Sequence, residues 1–184
     1  MKKKIFSLAL LVITAVSCNT TKRISETTGD PTSLPGLESV SGQYLETSVD
    51  LNKAGALKLA EQAGLEAQKL NKNVSIAILN SSGNTLLLLK GDQVGPHNTE
   101  ASRKKAYTSL STKTPSYELM IKASESRDAR NLNTVADLLL LGGGAPIWKN
   151  GELVGGIGIS GGGSGENDHN IALAALKNLG FTTE

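Results

Sequence analysis

Cysteine is almost missing from this 184-residue chain: Cys18 is the only one. No intrachain disulfide can therefore form, and a metal centre built from several thiolates is excluded. Aromatic residues amount to 3 %, and there are two histidines, His97 and His169. Two imidazoles without thiol partners make a structural zinc site a poor fit, although a His/Asp/Glu site for another metal stays open. Net charge is only +2, and Lys2, Lys3, Lys4, Lys22 and Arg23 all lie near the N-terminus. The rest of the chain thus lacks the basic, aromatic-studded face that nucleic-acid binding uses, and no nucleic-acid partner is expected. Long apolar runs are scarce as well. The N-terminal one, Ile5 to Val16, is too short to span a bilayer as a helix.

That short run has a different meaning. It follows three lysines and ends at Ala15-Val16-Ser17-Cys18, small residues leading directly to the lone cysteine. The pattern predicts a lipoprotein signal peptide over 1–17, with Cys18 lipidated after cleavage. Acyl chains on Cys18 would hold the protein to a membrane surface without a spanning segment, placing it in the cell envelope, facing the periplasm. Residues 18–42, rich in Thr, Ser, Gly and Pro with no apolar periodicity, read as a flexible tether. Residues 43–184 are of a size for one domain with a single core.

Within that domain, Asp50 is positioned to cap a helix running to about Leu70, with Leu57, Ala60, Gly64 and Ala67 as the inward stripe. Val74, Ile76 and Ile78 alternate as in a strand. The turn residues Asn80-Ser81-Ser82-Gly83-Asn84 then join this strand to a second one over Thr85–Leu89. Asn98 or Thr99 can cap a helix to about Leu110. A further helical piece, Ser116–Ser124, leads into a charged stretch, Glu125–Asn133, that reads as a solvated loop. Asn150-Gly151 is a strong hairpin signal between Pro146–Lys149 and Glu152–Ser160. A glycine-rich loop precedes a last helix, Asn167–Leu179, with Ile171, Ala172, Ala175, Leu176 and Leu179 inward. Short turns require antiparallel neighbours, so the expected fold is α+β, a mostly antiparallel sheet with helices packed against it.

Three constellations carry possible chemistry. His97 follows Gly95-Pro96 on a rigid corner at a helix start, where imidazole can coordinate a metal or haem iron. The helix behind it carries Arg103, Lys104 and Lys105, which could pair with carboxylates. Each also has an ordinary reading, as a capping imidazole and a solvated basic face. His169 falls in the first turn of the last helix, where the dipole disfavours imidazolium and a neutral ring is expected. Gly158-Ile159-Ser160-Gly161-Gly162 imitates a nucleophile elbow, but Asp168 and His169 are adjacent on a helix and do not face one another. A Ser160–His169–Asp168 relay is thus geometrically poor.

Taken in order, Val74–Leu89, Val94–Leu110 (VGPHNTEASRKKAYTSL), Leu141–Ile147 (LGGGAPI) and Gly151–Gly165 (GELVGGIGISGGGSG) resemble the GlcG/HbpS-like haem-binding family. The resemblance implies a compact three-layer domain, self-association into a homo-oligomer and haem as a cofactor. His97 would be the iron ligand, Arg103, Lys104 and Lys105 would lie near the propionates, and His169 is a second candidate ligand. The chain departs from the family where relatives often open the last helix with an acidic pair; here stands Asp168-His169. The function expected is thus a haem-binding envelope lipoprotein acting as carrier, scavenger or sensor. The alternatives are an accessory protein or enzyme acting on a small carboxylate or hydroxyacid, and a structural oligomeric scaffold.

Overall fold

The computed structural model describes residues 48–184. The expected signal segment, Cys18 and the expected tether lie outside the described residues. Helix α1 spans Lys53–Lys69, and its N-cap is Asn52, whose Oδ1 accepts from Gly55 N at 2.9 Å. Asp50, the expected cap, instead ties the chain to the first hairpin. Its carboxylate accepts from Asn80 Nδ2 at 2.9 Å and from Ser81 N at 2.8 Å. The buried face of α1 also differs from the expected stripe. It consists of Ala56, Leu59, Ala60, Ala63 and Ala67, while Leu57 is 51 % exposed. The alanines let the helix lie close to the sheet with Leu59 as its one large inward side chain, which turns Leu57 and Gly64 to the flank.

Strands β1 (Ser75–Asn80) and β2 (Thr85–Leu89) form the first hairpin, followed by α2 (His97–Thr112) and α3 (Ser116–Glu125). The stretch expected to be a loop holds a short helix, α4 (Arg127–Asn131), and a 3-10 turn, Leu132–Thr134. Ser126 caps α4, and Ala129 and Leu132 pack on Leu119, Ala123 and Leu140, so a small satellite core orders this charged segment. Strands β3 (Gly144–Lys149) and β4 (Glu152–Ser160) form the second hairpin, and α5 (Gly165–Asn178) follows. Asn150 and Gly151 sit at φ 52° and 80°. Left-handed conformation at both central residues is the type I′ geometry that the Asn-Gly pair predicts.

The sheet order is β2-β1-β4-β3, antiparallel throughout. Ile76 and Ile78 of β1 join Ile157 and Ile159 of β4 on one face, under α1 and α5. Ala77 and Leu79 turn to the other face, where Ala106 and Leu110 of α2 cover them. Period-two alternation thus fills two cores and gives three layers. On the α2 side the contact is unusually close: a Cβ at Gly144 would overlap the Lys105 carbonyl, and one at Gly158 the Ser102 carbonyl. Glycine in these strands is what lets the α2 backbone touch the sheet. At the β3 edge of the sheet, Trp148 and Thr182 form a bridge, exchanging two backbone hydrogen bonds of 2.9 and 3.0 Å. No helix among the described residues is long and apolar enough to cross a membrane.

Candidate functional site

The densest concentration of polar chemistry lies where α2, the end of β4 and the start of α5 meet. Strand β4 ends at Ser160, the chain turns through three glycines, and Ser164 caps α5 by accepting from Asn167 N at 3.0 Å. One turn in, Asp168 points back beneath the loop: Oδ1 accepts from Gly162 N at 2.7 Å, and Oδ2 from Lys105 Nζ at 2.8 Å. Lys105 donates also to the Ile159 carbonyl at 3.0 Å and to Ser160 Oγ at 3.3 Å. All three ammonium protons are occupied. The pair's side chains are 4 % and 6 % exposed, so burial without these partners would carry a heavy desolvation cost. Ser160 Oγ donates to Asn98 Oδ1 at 2.8 Å, and Asn98 Nδ2 donates to the Gly95 carbonyl at 3.2 Å. One continuous network therefore runs from the start of α5 to the corner that carries His97.

A cavity of about 430 Å³ opens beside this network, lined by Asn98, Lys105, Asp168, Met120, Leu141 and the glycine loop. Ser160 is 4 % exposed and engaged with Asn98 and Lys105. His169 is turned elsewhere, stacked on Tyr117 with ring centroids 5.0 Å apart. No nucleophilic triad forms.

The basic triplet of α2 is split in three directions. Arg103 binds Glu100 at 2.7 Å and Asp137 at 2.9 Å. Lys104 donates to the Ala136 carbonyl at 2.9 Å and meets no carboxylate among the described residues. Lys105 points into the protein, its three ammonium protons taken by Ile159, Ser160 and Asp168. The expectation of three cations on one solvated face is thus corrected: Arg103 is neutralised by two acids and Lys105 is internal. His97 opens α2 as an exposed residue, and its imidazole makes no hydrogen bond among the described residues. Ala101 and Lys104 follow on the same helical face, at i+4 and i+7. Among the described residues no group of three or more His, Cys, Asp or Glu could hold a metal ion.

His169 is half-buried, and its Nδ1 is buried without a partner. Burial pushes its imidazole below the ordinary value, and the nearby Glu118 and Glu166 offset this only in part. The sign of the consequence follows from linkage: between the lowered native value and the unfolded value near 6.5, the unfolded chain binds more protons. Stability is therefore expected to rise with pH up to about 6.5 and to level off above it. His169→Gln should flatten that slope in denaturant titrations between pH 5 and 7 (roughly the imidazole range). An unchanged slope would show that His169 titrates as it does in the unfolded chain.

Residues 51–177 match the family described as haem degrading protein HbpS-like. The protein GlcG of Escherichia coli K12 is 33 % identical over 119 residues, 63 % of this chain and 85 % of that one. The solved structure of a double mutant of Streptomyces reticuli HbpS aligns with TM-score 0.69 at 35 % identity, over 74 % of this chain and 92 % of that one. The PduOC–haem complex aligns with TM-score 0.66 at 28 % identity, over 74 % of this chain and 99 % of that one. The chain belongs to the HbpS-like family, and its three layers are the fold of these relatives.

Proposed function

We propose that this HbpS-like chain binds haem at the His97 corner of α2. The observation that carries the reading is His97 itself: an exposed imidazole on the first turn of a 16-residue helix, free of protein partners among the described residues. Neutral imidazole at such a position offers a nitrogen lone pair to iron. Lys104 stands about 10 Å from His97 by helix rise, an ammonium that donates to the Ala136 carbonyl and has further donors for a propionate. Asn98, next to His97, lines the cavity whose apolar members are Met120 and Leu141. The cavity is open, which suits a haem partly covered by one chain and completed by a neighbouring copy in a homo-oligomer. The solved haem complex of the PduOC relative supports the ligand class. Arg103 contributes only its residual field, and His169, with Nδ1 buried, is the weaker ligand. Titration of the purified protein with haemin tests the proposal: a saturable Soret change at one equivalent per chain is expected, and its absence would remove haem from the account.

The protein's place is proposed to be the cell envelope, held by lipid on Cys18 and facing the periplasm. The reading rests on the small residues before Cys18 and on the absence of any other cysteine. Mass spectrometry of the mature protein should find an acylated N-terminal Cys18. Cys18→Ser should be unprocessed or appear in the soluble fraction, and a processed, detergent-partitioning variant would contradict lipidation.

A further inference from the structure

Three loops meet at the end of the sheet where β1 begins and β4 stops. The segment after α1, the turn after β2 and the first residue past β4 enclose a cavity of about 330 Å³, lined by residues 71–73 and 92–95, Asn98 and Gly161. Its wall is rich in carboxamides, Asn71, Asn73, Gln93 and Asn98, and Val94 is the only apolar side chain among them. A hollow of about 320 Å³ that shares residues 71–73 continues it to Gln68. Two of the carboxamides are anchored. Asn73 Nδ2 donates to the Asp92 carbonyl at 3.1 Å, and Asn98 is held by Ser160 and Gly95. The side-chain amides of Gln68, Asn71 and Gln93 make no hydrogen bond among the described residues. Lys72 and Asp92 add one charge of each sign and form no ion pair among the described residues.

Gln93 is the residue the fold itself does not explain. Val94 N donates to the Gly91 carbonyl at 3.3 Å, closing a turn whose third residue is Gln93 at φ 61°. Glycine or asparagine ordinarily fills this left-handed place. Asn71, at φ 53°, is such an asparagine, standing just past the last turn of α1. A glutamine in the turn is strained and gains no hydrogen bond in exchange, and strain of this kind gathers at ligand sites. A second, independent observation lies behind the cavity wall. Ser75 pairs with Ser160 across β1 and β4, and Thr99 follows Asn98 on α2. Ser75 Oγ and Thr99 Oγ1 are both buried without a partner. Buried hydroxyls are ordinarily paired, so the elements that form this wall hold spare hydrogen-bonding capacity.

We propose that this cleft binds a saccharide. A sugar ring presents hydroxyls that both donate and accept, and a carboxamide meets them with both functions on one planar head. Asp92 accepts from hydroxyls and Lys72 donates to them. One charge of each sign leaves the cleft neutral, which favours an uncharged polyhydroxylated ligand over a phosphate or a carboxylate. A peptide would need apolar pockets for its side chains, and Val94 alone supplies little of that. Residues 71–73, Asp92 and Gln93 take no part in the haem reading, so the inference does not rest on it.

The test is proton–nitrogen correlation NMR of the full mature protein, in a detergent without sugar headgroups, titrated with glucose, N-acetylglucosamine and maltose. At least one of these sugars is expected to move the side-chain amide peaks of Asn71 and Gln93 saturably. Gln93→Gly should weaken that sugar at least tenfold, while the melting temperature holds or rises because glycine suits the turn. Lys113→Gly is the control: Lys113 also has a left-handed backbone, φ 53°, at the end of α2 and away from the cleft. It should leave sugar binding unchanged. No saturable shift with any of the three sugars would overturn the proposal. So would shifts that survive Gln93→Gly, or that fall outside the three loops. Gln93→Gly is expected to bind haemin as the wild type does, so failure of either reading is seen separately.

Discussion

Asp168→Asn is expected to lower the unfolding free energy by about 3–5 kcal/mol, because it leaves the Lys105 ammonium buried without its anion. The geometry leaves no escape: Lys105 Nζ is held among the Ile159 carbonyl, Ser160 Oγ and Asp168 Oδ2, with the side chain 4 % exposed. For a domain of this size that loss corresponds to a fall in melting temperature of roughly 10–20 °C. Lys105→Met should cost a similar amount, since Asp168 then keeps only the Gly162 amide. The double variant Lys105→Met/Asp168→Leu should recover most of the loss, because apolar replacement of a buried ion pair is often neutral. Urea denaturation of all three gives the coupling energy. Single variants within about 1 kcal/mol of wild type would mean that water reaches the pair.

Gly158→Val should be at least as damaging. A side chain there overlaps the Ser102 carbonyl and brings Cβ within 2.7 Å of Ala106 N, both backbone atoms of α2. No flexible tip can give way, so α2 must lift off the sheet and Ala77, Leu79, Ala106 and Leu110 lose their packing. Ordinary overpacking costs about 1–3 kcal/mol; detaching a helix exceeds it, and a loss above about 4 kcal/mol, or no soluble folded protein, is expected. A cooperative melt near that of wild type would contradict the close helix–sheet contact.

These two sites also mark where the sequence could be read and where it could not. Local chemistry was legible: Asn150-Gly151 forms its I′ turn, four of the five residues expected inward on the last helix (Ile171, Ala172, Ala175 and Leu176) are buried while Leu179 is partly so, and short turns dictated antiparallel strands. Long-range pairing was not. Lys105 sits beside Arg103 and Lys104 and reads as part of a solvated face, yet its partner Asp168 lies 63 residues on. One signal pointed inward: Ser102, Lys105, Ala106 and Ser109 repeat at helical spacing, and all four are buried. The rotated face of α1 has a similar cause. Alanine is apolar enough for either side of a helix, so the choice between Leu57 and Leu59 fell to the sheet beneath. The segment 125–133 read as a solvated loop because its ordering comes from Leu119 and Leu140, outside it. The Gly95-Pro96 lead-in marked the helix start at His97, whereas the network that fixes this corner through Asn98 and Ser160 was not legible.

The measurement that bears most directly on the proposed function is a haemin titration followed at the Soret band, with wild type, His97→Ala, His169→Ala and the double variant in parallel. Imidazole ligation by His97 predicts that His97→Ala shifts the band and weakens binding at least tenfold, about 1.4 kcal/mol or more. His169→Ala should change little. Tyr107, half-buried further along α2, would be the next ligand to examine if the iron were held by oxygen. A double variant with the wild-type spectrum and affinity would contradict histidine ligation at this corner.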